Sequence, residues 1–177
     1  DCLLSRGLGD VYKRQPLWKF IHQIREGFIM GLFSFGKKVK LYAPVDGTLI
    51  DLATVAAGQT GFAVTPERHH IFSPVTGTVS ALIPEQNAIE LAAGKLTVRL
   101  RMGVNTSATP ATYVHEGDQV TPETPLAFVD QEQAAENGED MTVLVVVDKG
   151  GQPAEKISLS TSGQVSHDQE VATVVAK

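Results

Sequence analysis

Cysteine and long apolar runs are scarce in this sequence. The only cysteine among the 177 residues is Cys2, so neither a disulfide nor a thiolate-based metal site can form within the chain. No stretch reaches the roughly 18 consecutive apolar residues that a membrane-spanning helix needs. No secretory signal with a charged start and an apolar centre is recognisable. These absences predict a soluble cytoplasmic protein.

The sequence also lacks an excess of basic residues. It has 15 Lys and Arg against 20 Asp and Glu, which gives a formal net charge of −5 at pH 7. Binding to a nucleic-acid backbone needs a basic face. We therefore expect no nucleic-acid partner.

Aromatic residues are few, at 6% of the chain, although 42% of the chain is hydrophobic. The core must therefore be built from Val, Leu, Ile and Ala, and the length fits one domain. Valine and threonine favour strands. The 16 glycines and 9 prolines are spread along the chain, as many tight turns require. Composition alone predicts an all-β protein.

The first 38 residues are expected to lie outside the folded domain. Residues 1–15 show no helix or strand period and resemble translated adapter sequence, so we interpret them as a non-native leader. Residues 16–29 have the pattern of a basic amphipathic helix. Such a helix could make peripheral contact with an anionic membrane surface, but the segment can equally be upstream DNA translated in frame. We assign residues 16–38 to a leader or N-terminal tail and residues 39–177 to the domain.

From residue 39 the chain reads as short strands separated by turns. The phrase Pro-Val-x-Gly-Thr-apolar occurs at residues 44–49 and again at residues 74–79. In each phrase proline fixes φ and glycine offers the positive φ that a tight turn needs, which predicts a bend between two strands. Residues 96–102 alternate apolar and polar side chains, and this period of two predicts a half-buried strand.

Two further segments complete the secondary-structure prediction. Residues 131–140 are the best helix candidate, one or two turns long and broken at Asn137-Gly138. Residues 141–147 are almost all apolar and predict a central strand. Strands at regular intervals with turn signals between them predict an antiparallel sandwich or barrel with one or two short helices.

The two repeated phrases, with residues 61–66 between them, resemble the glucose-type IIA component of the bacterial phosphoenolpyruvate-dependent sugar phosphotransferase system. The resemblance runs from about Met30 to Lys177. It implies a β-sandwich of the duplicated hybrid motif type with its active site in a shallow depression. It also implies a phosphoryl relay, from the phosphocarrier protein to a sugar-specific IIB domain of an IIB/IIC transporter. No cofactor and no metal are implied.

The resemblance places the two active-site histidines of the family at Asn87 and Arg101. The family phrase Thr-x-His-Ala-apolar corresponds here to residues 85–89, and Val-His-Phe-Gly-Ile-Asp-Thr corresponds to residues 100–106. Residues 84–108 contain no histidine.

Phosphoryl relay needs a nucleophile that is neutral near pH 7, and imidazole, with a pKa of about 6.5, is suited to it. The amide of Asn87 is not nucleophilic, and the guanidinium of Arg101 stays protonated. We therefore assign no catalytic residue and leave it open whether the chain is an enzyme. The leading interpretation is a IIA-like domain that does not accept phosphate and acts in docking, in regulation or as a remnant; the alternative is an active IIA component.

Anion or partner contacts are predicted for Arg99, Arg101 and Glu85. Arg99 and Arg101 share one face of a strand, so their guanidinium groups could together hold a phosphate or a partner's carboxylate. The opposing interpretation is two arginines on a solvated face. Residues 53–60 form a loop shorter than that of the family. An Asp-Pro-x-Phe segment that helps to bind partners is missing there, which weakens the case for ordinary docking.

The remaining candidates are weaker. Relocation of the phosphoryl acceptor to His69 or His70 is conceivable, but neighbouring side chains on an extended segment point apart, so a metal site there is not expected. His115 and His167 are interpreted as surface residues. A biotinyl- or lipoyl-type carrier would need a lysine at a hairpin tip. Lys95 and Lys149 have that placement but lack the flanking residues that carriers use.

Overall fold

The computed structural model describes residues 37–104, 106 and 108–176. The predicted leader and most of the predicted tail lie outside the described residues, as do Asn105, Ser107 and Lys177. The described part of the chain is all-β, as predicted, with one α-helix and two single 3₁₀ turns. The elements are β1 Lys37–Tyr42, β2 Gly47–Asp51, a 3₁₀ turn Leu52–Thr54, β3 Gly61–Pro66, β4 His70–Phe72, β5 Gly77–Ile83, a 3₁₀ turn Pro84–Gln86, β6 Ala88–Ala93, β7 Leu96–Met102, β8 Ala111–Thr112, β9 Gln119–Val120, β10 Pro125–Phe128, α1 Gln131–Glu136, β11 Val143–Lys149, β12 Gln152–Pro153, β13 Ile157–Leu159, β14 Gly163–Val165 and β15 Glu170–Ala176.

The strands form three antiparallel sheets. The largest has the order β14-β2-β3-β11-β7-β6-β5-β9, with β12 also paired to β11. The two smaller sheets have the orders β1-β15-β13 and β4-β10-β8. No sheet among the described strands closes on itself, so the fold is the sandwich and not the barrel of the prediction.

The core lies between the large sheet and the two small ones and is built from aliphatic side chains. Strand β7 shows how the sequence pattern places it. Leu96, Val98, Leu100 and Met102 are at most 2% exposed, whereas the residues between them lie on the outer face. One contiguous apolar cluster joins residues of all three sheets. Phe62 is the single aromatic residue among the largest fully buried side chains that the structure describes.

Strand β11 is central, between β3 and β7, as predicted. Its odd-numbered valines from Val143 to Val147 point into the core. Leu144 and Val146 lie in a second apolar cluster on the outer face, with Leu52 and Ala63. This burial of both faces explains why the segment reads as one apolar run. The strand begins at Val143 rather than Met141.

The glycines of the two repeated phrases serve a different purpose from the one predicted. Gly47 and Gly77 are not among the described glycines with positive φ, so the predicted reason is wrong. A Cβ on Gly47 would collide with the carbonyl oxygen of Thr65, and one on Gly77 would collide with that of Ala92. Glycine is needed at both positions because the neighbouring strand passes too close for a side chain.

Helix α1 is confirmed at the predicted place. The carboxylate of Asp130 accepts a hydrogen bond from the backbone N–H of Gln133 at 3.0 Å and caps the first turn. The helix ends before Asn137 and Gly138, where Gly138 has a φ of +70°. Within the described residues, no helix has the length and apolar content needed to cross a bilayer.

Candidate functional site

Asn87 lies at the junction between the 3₁₀ turn Pro84–Gln86 and strand β6. Its φ of 50° and ψ of 42° are left-handed, a conformation that asparagine tolerates better than most residues. Its Nδ2 donates to the carbonyl of Ala108 at 2.8 Å, and its backbone carbonyl accepts from the N–H of Met102 at 2.9 Å. The residue therefore ties the segment after β7 to the start of β6.

Arg101 lies on the outer face of β7, between Ala88 on β6 and Leu144 on β11. Asn87 immediately precedes Ala88, so the two positions singled out in the sequence lie at the same end of neighbouring strands. The Arg101 side chain is exposed, and its Nη2 donates to the carbonyl of Val104 at 2.9 Å. No described carboxylate forms an ion pair with it.

Arg99 forms an ion pair with Glu90. Its Nε and Nη2 donate to Oε1 of Glu90 at 2.9 and 2.6 Å, directly across the β6–β7 pair. Of the two guanidinium groups predicted to hold an anion together, Arg99 is thus neutralised. Glu85, the third predicted contact residue, is exposed in the 3₁₀ turn before Asn87.

A cavity of about 250 Å³ lies beside Asn87. It is lined by Leu82, Ile83, Pro84, Asn87, Ala88, Met102, Thr109, Pro110 and Thr112. None of these side chains is ionisable, and the amide nitrogen of Asn87 is committed to Ala108. The lining therefore contains no acid, base or strong nucleophile.

The 3₁₀ turn Leu52–Thr54 and the start of the predicted short loop cover part of the outer face of the large sheet. Leu52 is 1% exposed and packs against Ala63, Leu144 and Val146, with Val104 at the margin. The carboxylate of Asp51 accepts from the N–H of Ala53 at 3.0 Å and fixes the turn that follows. An apolar patch next to Arg101 is thereby partly covered by the chain itself.

The histidines that the sequence left without a role are distributed over a different part of the molecule. His69 Nδ1 lies 3.2 Å from both the carbonyl of Val129 and the backbone nitrogen of Gln131. His70 instead stacks on Tyr113, with ring centroids 6.1 Å apart. Within the described residues, no group of three or more His, Cys, Asp or Glu is placed to hold a metal ion.

His167 and Asp46 form a pair that the sequence analysis missed. His167 Nδ1 lies 2.7 Å from Oδ1 of Asp46, and the backbone N–H of His167 donates to the same oxygen at 2.7 Å. The backbone N–H of His167 and then its side chain lower the pKa of Asp46, against a raising effect of burial. The two residues are 121 positions apart in sequence, so no local motif could have joined them.

The three-sheet sandwich, with the candidate site at the junction of β6 and β7, defines the class of protein as an all-β sandwich domain. Residues 39–152 match the family model described as phosphoenolpyruvate-dependent sugar phosphotransferase system, EIIA 1. Because this match covers more than half of the chain, the chain belongs to that family.

Individual relatives agree with this assignment. The chain is 28% identical over 138 residues to the PTS system glucose-specific EIIA component of Halalkalibacterium halodurans, covering 66% of this chain and 80% of the relative. It is 27% identical over 124 residues to the PTS system beta-glucoside-specific EIIBCA component of Bacillus subtilis, covering 63% of this chain but only 20% of that relative.

The solved structure of glucose permease IIA from Mycoplasma capricolum is similar in fold. Its TM-score is 0.69 at 22% sequence identity, covering 80% of this chain and 99% of that one. At this level of identity, the likeness supports the fold and nothing finer.

Proposed function

We propose that this chain is a IIA domain that docks with components of a sugar phosphotransferase system without carrying a phosphoryl group at the two active-site positions of the family. The observation behind the proposal is the identity and placement of Asn87 and Arg101. They lie together where β6 begins and β7 ends, and no histidine occurs within residues 84–108.

The contacts of both side chains support a structural or binding role. The Asn87 amide is used to hold Ala108, and an amide nitrogen has no lone pair to offer phosphorus. Arg101 keeps its positive charge at any physiological pH. It can bind a phosphate or a carboxylate presented by a partner but cannot accept a phosphoryl group.

The partners proposed are the phosphocarrier protein and IIB/IIC transporter domains. The family membership and the similarity to proteins named EIIA and EIIBCA components support this choice. The proposed contact surface is the exposed guanidinium of Arg101 together with the partly exposed side chains at the margin of the apolar cluster around Leu52, which are Ile50, Val55 and Val104. Such a domain would regulate its partner by binding to it, because it carries no phosphoryl group at Asn87 or Arg101 to transfer.

The test combines phosphorylation with docking. The chain is incubated with phosphoenolpyruvate, enzyme I and phosphocarrier protein, and its intact mass is followed, together with a titration of isotope-labelled chain with phosphocarrier protein. We expect no phosphoryl group within residues 84–108 and none anywhere that depends on phosphocarrier protein, and amide shifts confined to β6, β7, β11 and residues 50–56. A phosphoryl group that reaches the chain from the phosphocarrier protein would contradict the silent assignment; absence of any binding would contradict docking.

A charge reversal makes the docking test specific. Arg101→Glu is expected to weaken binding of the partner about fivefold, because one guanidinium contact is replaced by repulsion. Lys95→Glu is the matched control, since this lysine is also exposed but lies in the turn before β7, at the opposite end of that strand from Arg101. Equal losses in both variants would indicate a general charge effect and no localised contact.

A further inference from the structure

The chain carries two equivalent turns, and only one of them contains a histidine. Ser73 donates its N–H to Thr124 in one half, and Ala43 donates its N–H to Gln169 in the other. The turns Thr121–Thr124 and Ser166–Gln169 close in the same way, because the last side chain of each accepts from the first backbone N–H.

This duplication provides an internal control for the pair His167 and Asp46. In the other half, the position of His167 is occupied by Pro122 and that of Asp46 by Thr76. The turn there forms without an imidazole or a carboxylate at these two positions. The fold therefore does not require the pair, and another reason for it must be sought.

The imidazole of His167 is held in one orientation. Its ring stacks on Phe72 with centroids 4.3 Å apart and planes 18° apart, and its Nδ1 lies 2.7 Å from the Asp46 carboxylate. An ionised carboxylate only accepts hydrogen bonds, so Nδ1 carries the proton and the neutral ring keeps its lone pair on Nε2. With 41% of the side chain exposed, the ring is both fixed and accessible.

The surroundings of His167 suit a small anion. His167 shares a cavity of about 210 Å³ with Asp46, Arg68, His70 and Phe72. Arg68 Nε lies 3.9 Å from Oδ2 of Asp46, a distance that leaves its guanidinium free to turn toward a phosphate. A cavity of this size admits a small molecule rather than a protein loop.

We propose that His167 Nε2 is a nucleophile that accepts a phosphoryl group from a small energy-rich phosphate, such as an acyl phosphate or phosphoramidate. With an acyl phosphate, the Nε2 lone pair forms the N–P bond while the bond from phosphorus to the acyl oxygen breaks. The carboxylate leaves with that electron pair. With phosphoramidate, whose nitrogen already carries three protons, the phosphorus–nitrogen bond breaks instead and neutral ammonia leaves. The ring keeps its Nδ1 proton and becomes cationic, and the Asp46 carboxylate neutralises the new charge, so Asp46 is a positioning residue.

This site is separate from Asn87 and Arg101. Along the sheet register, Arg101 pairs with Leu144, Leu144 with Ala63 and Ala63 with Ile50. Asp46 precedes Ile50 by four residues, so three strand spacings and four residue rises place it roughly 20 Å from Arg101. The proposal also needs no phosphotransferase partner, so its failure would leave the docking proposal untouched, and the reverse holds too.

The experiment treats the full chain with acetyl phosphate and, separately, with phosphoramidate. Acid-labile phosphorylation is followed by intact mass and localised by tandem mass spectrometry. His115 is the matched control, because 88% of its side chain is exposed but its Nδ1 lies 3.8 Å from Asp118, too far for a hydrogen bond. We expect His167 to be modified about tenfold faster than His115. Equal rates at the two histidines, or no reaction at His167, would overturn the proposal.

Variants test the role of Asp46. Asp46→Asn is expected to slow the modification of His167 about tenfold, and Asp46→Glu to recover part of the rate. His115→Gln should leave the rate at His167 unchanged, while His167→Gln abolishes it. A rate that is unaffected in Asp46→Asn would refute the positioning role. If Asp46→Asn does not fold, as judged by circular dichroism, the comparison of His167 with His115 in the parent chain decides.

Discussion

Single residues in this domain acquire their roles from the backbone groups near them. Asn87 shows this most clearly, because a left-handed conformation and a side-chain bond to Ala108 coincide at one position. From the sequence, Asn87 is interpreted as the position of a lost phosphoryl acceptor. Its contacts are those of a loop amide, and that role is compatible with the loss of an acceptor.

Asn87→Ala is expected to lower the free energy of unfolding by about 1–3 kcal/mol. The variant leaves the carbonyl of Ala108 without its partner and puts an alanine in a left-handed conformation. Chemical denaturation of the parent chain and the variant measures the loss. Asn87→Gly keeps the conformation accessible but removes the hydrogen bond, so it should lose less. A larger loss in Asn87→Gly would show that the conformational argument is wrong.

The stability contributed by Asp46 is expected to depend on pH. The backbone N–H of His167 lowers the pKa of Asp46 in the folded chain. A carboxyl whose folded pKa is lowered stabilises the fold above its unfolded pKa, about 3.9, and loses that effect as the pH falls through the folded pKa. The difference in unfolding free energy between the parent chain and Asp46→Asn should therefore shrink from about pH 5 toward about pH 2. A difference that grows on acidification would contradict the assignment.

At the scale of elements, strands β2 and β5 each begin with a glycine because the backbone of the neighbouring strand passes too close for a side chain. Gly47→Ala is expected to cost about 1–3 kcal/mol of unfolding free energy, because the new methyl group meets the Thr65 carbonyl on β3. Gly58→Ala is the control, since a Cβ at this position meets nothing within 4 Å and only its φ of 83° opposes the change. Thermal unfolding compares them. A Gly58→Ala loss equal to or greater than that of Gly47→Ala would argue against the steric explanation.

The elements that could be predicted from the sequence are those with a local sequence signal. Strand β7 has strict alternation, β11 is apolar on both faces, and α1 has a capping aspartate and a terminating glycine, so each signal is local. The two-residue strands β8, β9 and β12 have no such signal, because their pairing is imposed by the partner strand.

The candidate sites were predictable to different degrees. Asn87 and Arg101 are singled out by the phrases around them, and the structure places them at the same end of neighbouring strands; their correspondence to the histidines of the family stays a prediction. The reason for Gly47 was misjudged, since the close approach of Thr65 is visible only after the strands are paired. His167 and Asp46 are 121 positions apart in the sequence. Their contact is created by the fold, so no local sequence pattern predicts it.

At the scale of the whole molecule, scaffold and chemistry are separable. The sandwich agrees with membership of the EIIA family, and Asn87 and Arg101 lie at the same end of neighbouring strands. Under the proposed function neither side chain carries a phosphoryl group. Under the proposed function the surface around Arg101 is available to partners, and phosphoryl relay through residues 84–108 is lost.

The most direct measurement is phosphoryl relay from phosphocarrier protein to a IIB domain, compared between the parent chain and the double variant Asn87→His with Arg101→His, both carrying His167→Gln. We predict no relay through the parent chain and measurable relay through the double variant, with the phosphoryl group localised within residues 84–108. Relay through the parent chain at the rate of the double variant would contradict the account.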